Sequence, residues 1–315
     1  MQKLDPSVKL ALSPEKQRMF DDIDLQRVLG ASTHIKMIGD MFLDIADLVS
    51  NPDERVAGVR GVADYFSATR GASSQAISNA IALMLSGMGP GAVSLRASVE
   101  QYRAGANADM AAIRDFLWNV LAGMERILVF DYSSTVAAVA PLARDHGVTL
   151  TCYVPESRGL DGGRPYVRPF LAAGHRVHFI PDSALHYYLP KCDAAFFGSE
   201  TLYPDGTCFN TVGSELVGLV SKEFKVPLYV PTPLIKLDMR ALRGYRKPPI
   251  VDDHTGRMAT HWEAGEREGV DFTCPELVPV APDYITAYIT EVGILPPGAI
   301  YTAALTYQEK LRKEE

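Results

Sequence analysis

The sequence predicts an α/β protein, in which an N-terminal helical bundle precedes a C-terminal parallel α/β domain. Three observations predict this fold class: the length of the chain, a helical period of apolar residues before residue 120, and short apolar runs that alternate with helical segments after it. A chain of 315 residues is long enough for two domains of roughly 150 residues each. We therefore expect a helical domain at residues 1–122 and an α/β domain at residues 123–315.

Apolar residues recur at intervals of three and four between residues 14 and 120, as the buried face of an amphipathic helix requires. One such stripe is formed by Met37, Met41, Phe42, Ile45 and Leu48. No strand-like alternation of useful length interrupts this region. Residues 14–120 are therefore predicted to be helical.

After residue 120, short apolar runs predict buried strands, and helical segments separate them. The predicted strands are Arg126–Phe130, Val148–Val154, Arg176–Ile180, Ala194–Phe197 and Pro227–Val230. The predicted helices are Ser133–His146, Tyr166–Ala173, Ser183–Leu189 and Gly213–Phe224. Strands joined by single helices form right-handed crossovers, which produce a doubly wound parallel sheet. The polar stretch from Lys247 to Cys274 is expected to be a long, irregular surface excursion.

The composition is that of an ordinary soluble protein, with 47% hydrophobic and 22% charged residues. The net charge of −7 argues against a general nucleic-acid binder, which would carry a basic stripe, but permits a small anionic ligand held by a few arginines. No apolar run reaches the roughly 18 residues of a membrane span, and the polar N-terminus lacks the apolar core of a signal peptide. We expect a cytoplasmic protein without a membrane partner.

Neither a metal nor a cofactor is predicted. The four cysteines form no CxxC pair, and the seven histidines form no HxxxH or HExxH arrangement. The GxGxxG fingerprint of dinucleotide-binding sites is also absent.

Polar loops follow the predicted strands, and ligands of open parallel sheets bind at the carboxyl ends of the strands. Asp131 and Glu200 lie in two of these loops. Two carboxylates in different environments can act as acid and base in proton transfer. The alternative is that each caps a helix or pairs with Arg158.

Candidate phosphate contacts lie in the same loops and in one loop of the helical region. Ser133 and Ser134 open a predicted helix, where they are either ordinary N-caps or phosphate ligands. Arg70, Gly71 and Ala72 lie at a break between two predicted helices. There, the guanidinium of Arg70 is either solvated or forms paired hydrogen bonds to a phosphate, which the backbone of the small residues that follow can also bind. Arg158 and Lys236 are further cationic candidates.

Several short motifs follow one another between residues 70 and 293. They are Arg70-Gly71-Ala72, Pro155-Glu156-Ser157-Arg158, Ile180-Pro181-Asp182-Ser183-Ala184, Gly198-Ser199-Glu200, Asn210-Thr211-Val212-Gly213-Ser214 and Thr290-Glu291-Val292-Gly293. In content and order they resemble the motifs of the superfamily that joins methylthioribose-1-phosphate isomerase, ribose-1,5-bisphosphate isomerase and the α, β and δ subunits of translation initiation factor 2B.

The resemblance implies a Rossmann-like C-terminal domain, a homodimer and a small phosphorylated sugar as ligand. The isomerases interconvert an aldose 1-phosphate and a ketose 1-phosphate, which requires no redox cofactor. They carry a cysteine after the first strand and an aspartate in a G-A-D motif, where this chain has Asp131 and Glu200. Asn210 matches the family's asparagine and is a predicted substrate contact, whereas Thr211 replaces the lysine that follows it. Gly159 replaces the proline of E-S-R-P.

Two functions remain open. In the first, the protein is a sugar-phosphate isomerase in which Asp131 and Glu200 transfer protons, while Arg70, Arg158 and Lys236 hold phosphate or hydroxyl groups. In the second, it is a non-catalytic regulatory subunit of the initiation factor 2B type that binds a sugar phosphate or a nucleotide in the same pocket. The absent cysteine and the glutamate of the G-A-D motif favour this second function. A translation-factor subunit proper would need a protein partner.

Overall fold

The structure is a computed structural model that describes residues 5–25, 27–28, 30–86 and 92–313. By their contacts these residues group into two compact units. Unit 1 is drawn from residues 1–108, 235–238 and 305–315, and unit 2 from residues 109–234 and 239–304. The division of the chain at residues 122 and 123 stays a prediction.

Unit 1 is built from helices. Its described helices, the last of which continues into unit 2, are α1 Pro14–Asp24, α2 Ala31–Leu48, α3 Pro52–Ala68, α4 Arg70–Ser73, α5 Gln75–Leu85 and α6 Ala92–Leu121, preceded by a 3₁₀ helix at Pro6–Ala11. Prolines stand in the first turns of α1 and α3, where a missing N–H costs nothing. The apolar stripes face a common core that includes Phe20, Phe42 and Phe66. The predicted helical region is confirmed for its described residues.

Unit 2 contains all the strands that the structure describes, together with shorter helices. In chain order its elements are β1 Arg126–Phe130, α7 Ser134–Ala137, α8 Val139–Asp145, β2 Thr151–Pro155, α9 Arg164–Ala172, β3 Arg176–Ile180, α10 Leu185–Tyr188, β4 Ala194–Phe197, β5 Thr201–Leu202, β6 Cys208–Thr211, α11 Ser214–Phe224, β7 Leu228–Pro231, β8 Val251–Asp253, α12 Thr255–Met258, β9 Thr273–Pro275, β10 Leu277–Val280, β11 Ala287–Thr290, β12 Gly293–Leu295 and α13 Ile300–Lys313. Helix α13 begins in unit 2, and its residues from Leu305 belong to unit 1.

Seven strands form the main sheet of unit 2, in the order β12-β11-β7-β4-β1-β2-β3. Every neighbouring pair is parallel except β11 and β12. From β3 to β11 this is the strand order of doubly wound dinucleotide-binding folds, and it reverses between β1 and β4. The predicted fold class, a helical region followed by an α/β domain with a largely parallel sheet, is therefore confirmed. The antiparallel edge strand β12 was not predicted.

Several predicted elements differ in detail from the structure. The helix predicted at Ser133–His146 is broken at Ala138 into α7 and α8, and the strand predicted from Val148 begins at Thr151. The helix predicted at Ser183–Leu189 consists of one turn, α10, between two 3₁₀ helices. The stretch from Lys247 to Cys274 is not irregular throughout, because β8 pairs with β9 and encloses α12.

A second, antiparallel sheet of unit 2 has the order β10-β6-β5. It carries Thr211 at the end of β6, and this residue belongs to the site described below.

None of the helices in the described parts of the chain has the length and apolar character that a membrane crossing requires.

Candidate functional site

Asp131 and Glu200 follow the two strands between which the order of the sheet reverses. Phe130 at the end of β1 is in register with Phe197 at the end of β4, so the residues that follow both strands leave the sheet at the same edge. Ligands of doubly wound sheets bind at this reversal. The structure thus brings the loops of the two predicted catalytic carboxylates together at the expected binding edge.

Asp131 is a buried carboxylic acid with two hydroxyl partners. Its side chain is 8% exposed. Ser157 Oγ donates to Oδ1 over 3.0 Å, and Thr211 Oγ1 donates to Oδ2 over 2.7 Å. Burial raises the pKa of this carboxyl group, the two hydroxyls oppose the rise, and the negative charge of Asp182 adds to it. The group is therefore biased toward the protonated form that a general acid requires.

The backbone around Asp131 is held in an uncommon conformation. Asp131 has a φ of 49°, in the left-handed region that residues other than glycine seldom adopt. The hydroxyl of buried Tyr166 donates to the carbonyl of Asp131 over 2.8 Å and accepts from the Ser133 amide over 2.9 Å. Such backbone strain is common where a protein orients a functional side chain.

The loop from β2 to α9 packs directly against the Asp131 carboxylate. A Cβ on Gly162 would overlap Oδ1 of Asp131, so glycine is required for this approach. The loop is anchored by Asp182, whose two carboxylate oxygens accept from the amides of Ser157 (2.9 Å) and Arg158 (2.8 Å). Asp182, part of the Ile180–Ala184 motif, therefore positions the loop that holds Asp131.

Glu200 differs from Asp131 in its surroundings. Its amide donates to the carbonyl of Phe209 over 2.8 Å, and its half-buried carboxylate has no hydrogen bond or ion pair among the residues that the structure describes. The predicted alternative, a pairing with Arg158, is not seen. The guanidinium of Arg158 lies 3.8 Å from Glu156 and donates to the carbonyl of Arg257 over 3.1 Å.

Three other predicted binding residues belong to unit 2. Ser133 is the N-cap of α7, with a long hydrogen bond of 3.5 Å from the Val136 amide, and Ser134 is exposed. The buried amide of Asn210 donates to Ser214 Oγ over 2.9 Å. Each of them thus has a structural place, and their predicted role in substrate binding stays a prediction.

The remaining predicted contacts, Arg70, Gly71, Ala72 and Lys236, belong to unit 1. Residues 70–73 form the short helix α4 rather than a break, because the turn continues through Ser73. Arg70 donates to the carbonyl of Asp24 over 2.7 Å, whereas its buried Nε has no partner among the described residues. The proposed phosphate contacts of these four residues stay predictions.

Sequence reasoning missed several residues that surround Asp131 or its sheet edge. Ser157 and Thr211 bond Asp131 across distant parts of the chain, and no spacing in the sequence indicates this. Thr232, which follows β7, is buried, and its hydroxyl lacks a partner among the described residues. His254 lies in the Lys247–Cys274 stretch, for which the sequence predicts a surface excursion, but it is buried, and neither ring nitrogen has a partner in the described part of the chain. Within the same described part, no three or more His, Cys, Asp or Glu side chains are grouped so as to hold a metal ion.

Residues 57–297 match the model of the initiation factor 2 subunit family. The chain belongs to this family. The match covers most of unit 2 and less than half of unit 1, and it includes every motif quoted above for the resemblance.

Relatives of this family member carry different functions. It is 24% identical over 305 residues to a ribose 1,5-bisphosphate isomerase of Haloterrigena turkmenica, covering 92% of this chain and 93% of the relative. It is 28% identical to the Archaeoglobus fulgidus enzyme of the same name, over 54% of this chain and about half, 53%, of the relative. It is also 28% identical to translation initiation factor eIF2B subunit alpha of Dictyostelium discoideum, over 57% of this chain and 48% of the relative.

Solved structures of the family share the fold. The TM-score is 0.74 with translation initiation factor eIF-2B of Pyrococcus horikoshii, at 17% identity over 91% of this chain and 98% of that chain. It is 0.71 with 5-methylthioribose 1-phosphate isomerase of the same organism, at 17% identity over 94% and 86%. One fold therefore serves both isomerases and initiation-factor subunits.

Proposed function

We propose that this protein is a sugar-phosphate isomerase that interconverts an aldose 1-phosphate and a ketose 1-phosphate. The observation that carries the proposal is Asp131, a buried carboxyl group with a raised pKa at the reversal of the sheet. A carboxyl group whose pKa is raised is better suited to act as a general acid than an ordinary aspartate. The isomerases among its relatives support the same reaction class.

In this proposal the two carboxyl groups have opposite roles. Protonated Asp131 donates its proton to the ring oxygen of the sugar, and the bond from that oxygen to C1 breaks. Glu200 accepts the proton of the hydroxyl on C2 as the carbonyl forms there, while the hydrogen on C2 moves to C1. Substrate and product are isomers, so the reaction needs no redox cofactor, and solvent returns the protons to the starting groups.

The hydroxyl partners of Asp131 suit both of its protonation states. A hydroxyl can donate to a carboxylate or rotate to accept from a carboxylic acid. Ser157 and Thr211 can therefore hold Asp131 before and after it gives up its proton. Arg158, whose guanidinium is half exposed at the same loop, is proposed to bind a phosphate group.

The test is turnover of ribose 1,5-bisphosphate and 5-methylthioribose 1-phosphate, followed by NMR of the products. Asp131→Asn and Glu200→Gln are each expected to lower turnover at least about 100-fold, the lower end of the usual contribution of a general acid or base. Asp115→Asn, a matched change of an exposed aspartate on α6, should leave turnover unchanged. If the parent protein converts neither sugar, or if both variants retain full turnover, the isomerase proposal is wrong.

A non-catalytic binding subunit is the second candidate function. It is favoured by the hydrogen bonds of Asp131, since both of its oxygens already have partners within the protein, as in a purely structural carboxylate. A thermal shift caused by a sugar phosphate or a nucleoside monophosphate, without any product, would support this function over the isomerase.

The homodimer and the cytoplasmic location stay predictions. Size-exclusion chromatography with light scattering would test the homodimer.

A further inference from the structure

His254 is a buried histidine whose ring nitrogens are both unsatisfied. Its side chain is 3% exposed, and neither Nδ1 nor Nε2 has a hydrogen-bond partner among the described residues. Buried polar atoms almost always have a partner, because an unpaired one loses its hydration without compensation. Two unpaired nitrogens on one buried ring are therefore unusual among the described residues, and both are available to hydrogen-bond a ligand.

The imidazole lies beside Gly159, in the loop after β2 that holds Asp131. A Cβ built on Gly159 would lie 3.8 Å from Cε1 of His254 and 2.8 Å from Cγ1 of Val212. Ser157 and Thr211 are the two hydroxyl donors to Asp131. Gly159 lies two residues after Ser157, and Val212 directly follows Thr211. A side chain at Gly159 would overlap Val212, so glycine lets this loop pass close to Val212 and the ring.

The backbone of His254 is fastened in this place. Arg158 Nη2 donates to the carbonyl of Arg257 over 3.1 Å, and Arg257 Nη1 donates to the carbonyl of Gly159 over 2.7 Å. The amide of His254 also donates to the carbonyl of Phe272 over 3.1 Å. These bonds tie the start of α12 to the loop after β2 and keep the imidazole buried.

We propose that His254 is a ligand-binding residue of the Asp131 site, where its imidazole hydrogen-bonds a hydroxyl or phosphate oxygen of the sugar phosphate. The inference rests on the proposed function and adds a residue to the same site. A neutral imidazole donates from one nitrogen and accepts at the other, which matches the hydroxyl groups of a sugar. It also gives part of the Lys247–Cys274 stretch a role in recognising the ligand.

The experiment compares His254→Phe with the parent in the binding of ribose 1,5-bisphosphate and 5-methylthioribose 1-phosphate, measured by calorimetry. A phenyl ring fills the same space but cannot hydrogen-bond. For the sugar that the parent binds, we expect the Kd of His254→Phe to be at least about tenfold higher than that of the parent. The thermal stability of the variant should not fall, since the change removes unsatisfied polar atoms. His261→Phe, an exposed histidine of the same stretch, is the matched control and should bind as the parent does.

A second readout does not depend on this variant. In protein labelled with ¹⁵N-histidine, the ring signals that His254→Gln removes belong to His254, and addition of the bound sugar phosphate is expected to shift them. If the parent binds while His254→Phe has an unchanged Kd and the ring signals stay in place, His254 only fills space and the proposed function still stands. If the parent binds neither sugar, the proposed function fails, and the assignment of His254 fails with it.

Discussion

The carboxyl group of Asp131 holds its proton more tightly in the folded protein than in the unfolded chain. Burial is the main cause, and the hydroxyls of Ser157 and Thr211 offset it only in part. In the unfolded chain the group returns to the ordinary aspartate value, 3.8. At pH values between the two pKa values the folded protein binds more protons than the unfolded one. The free energy of unfolding therefore falls as the pH rises through this interval.

Replacement of Asp131 by asparagine removes this titration. We expect the stability of the parent relative to Asp131→Asn to be greatest near the unfolded pKa and to decline as the pH rises through the raised pKa of the folded state. Urea unfolding of both proteins from about pH 4 to about pH 8 measures the difference. Asp115→Asn is the matched control for a change at an exposed site. A difference between parent and Asp131→Asn that does not vary with pH would show that burial leaves this carboxyl group unaffected.

The position of Asp131 could be predicted from the sequence, but its surroundings could not. The apolar run of residues 126–130 ends directly before it, so this run alone predicts that Asp131 lies at the edge of the sheet. Its two partners, Ser157 and Thr211, are 26 and 80 residues away in the chain. Their contacts depend on how loops from different strands meet. The burial of His254 likewise appears only in the folded protein.

The loop between β2 and α9 supports the site through two glycines. Gly162 packs against the Asp131 carboxylate, and a Cβ on Gly163 would overlap the carbonyl of Pro155. Asp182 holds the start of the same loop, and Ser157 within it has a φ of 50°. The loop is thus shaped by close backbone approach at one end and by carboxylate–amide bonds at the other.

Gly162→Ala tests this loop as an element. The added methyl group must displace the loop or Asp131, and we expect it to lower the free energy of unfolding by roughly 1–3 kcal/mol, the usual range for overpacking. Turnover, if present, should fall as well, because the acid moves. The control is Gly105→Ala at an exposed position of α6, where the added Cβ meets no atom within 4 Å apart from its own helix backbone, and a gain of roughly 0.5–1 kcal/mol is expected. Equal losses in both variants, or no loss at Gly162, would contradict the packing described.

Apolar runs that alternate with helices were predictable as strands, and the strands outside this alternation were not. Five strands of the main sheet follow such runs, and all five lie in the parallel part. By contrast, β11 and β12 follow the surface excursion closely in sequence and owe their place to pairing with each other and with β7. The strands β5, β6 and β10 contain two to four residues each. No helix separates β5 from β6 or β9 from β10, so the alternation with helices that predicted the equally short β4 and β7 is missing there.

The two units each have a core of their own, and the chain passes between them more than once. One core includes Phe42 and Phe66, and the other includes Ile127 and Phe196. The change of hydrophobic period near residue 120 predicted a single passage, because a return to unit 1 as short as residues 235–238 adds no period of its own. Ile235 of this return packs against the core of unit 1. The return is thus held by apolar packing as well as by hydrogen bonds.

Asn79 on α5 provides the hydrogen bonds that hold residues 235–238 in unit 1. Its Nδ2 donates to the carbonyl of Ile235 over 2.8 Å and to that of Leu237 over 3.0 Å. Asn79→Ala leaves both carbonyls without this donor, and we expect the free energy of unfolding to fall by roughly 1–3 kcal/mol. Hydrogen exchange of the amides in 235–238 should accelerate beyond the change that global destabilisation explains, since the segment loses its anchor. Asn107→Ala, an exposed asparagine on α6, is the matched control and should change neither quantity appreciably. If Asn79→Ala leaves exchange in 235–238 as slow as in the parent, packing of Ile235 alone holds the return and the hydrogen bonds of Asn79 are dispensable.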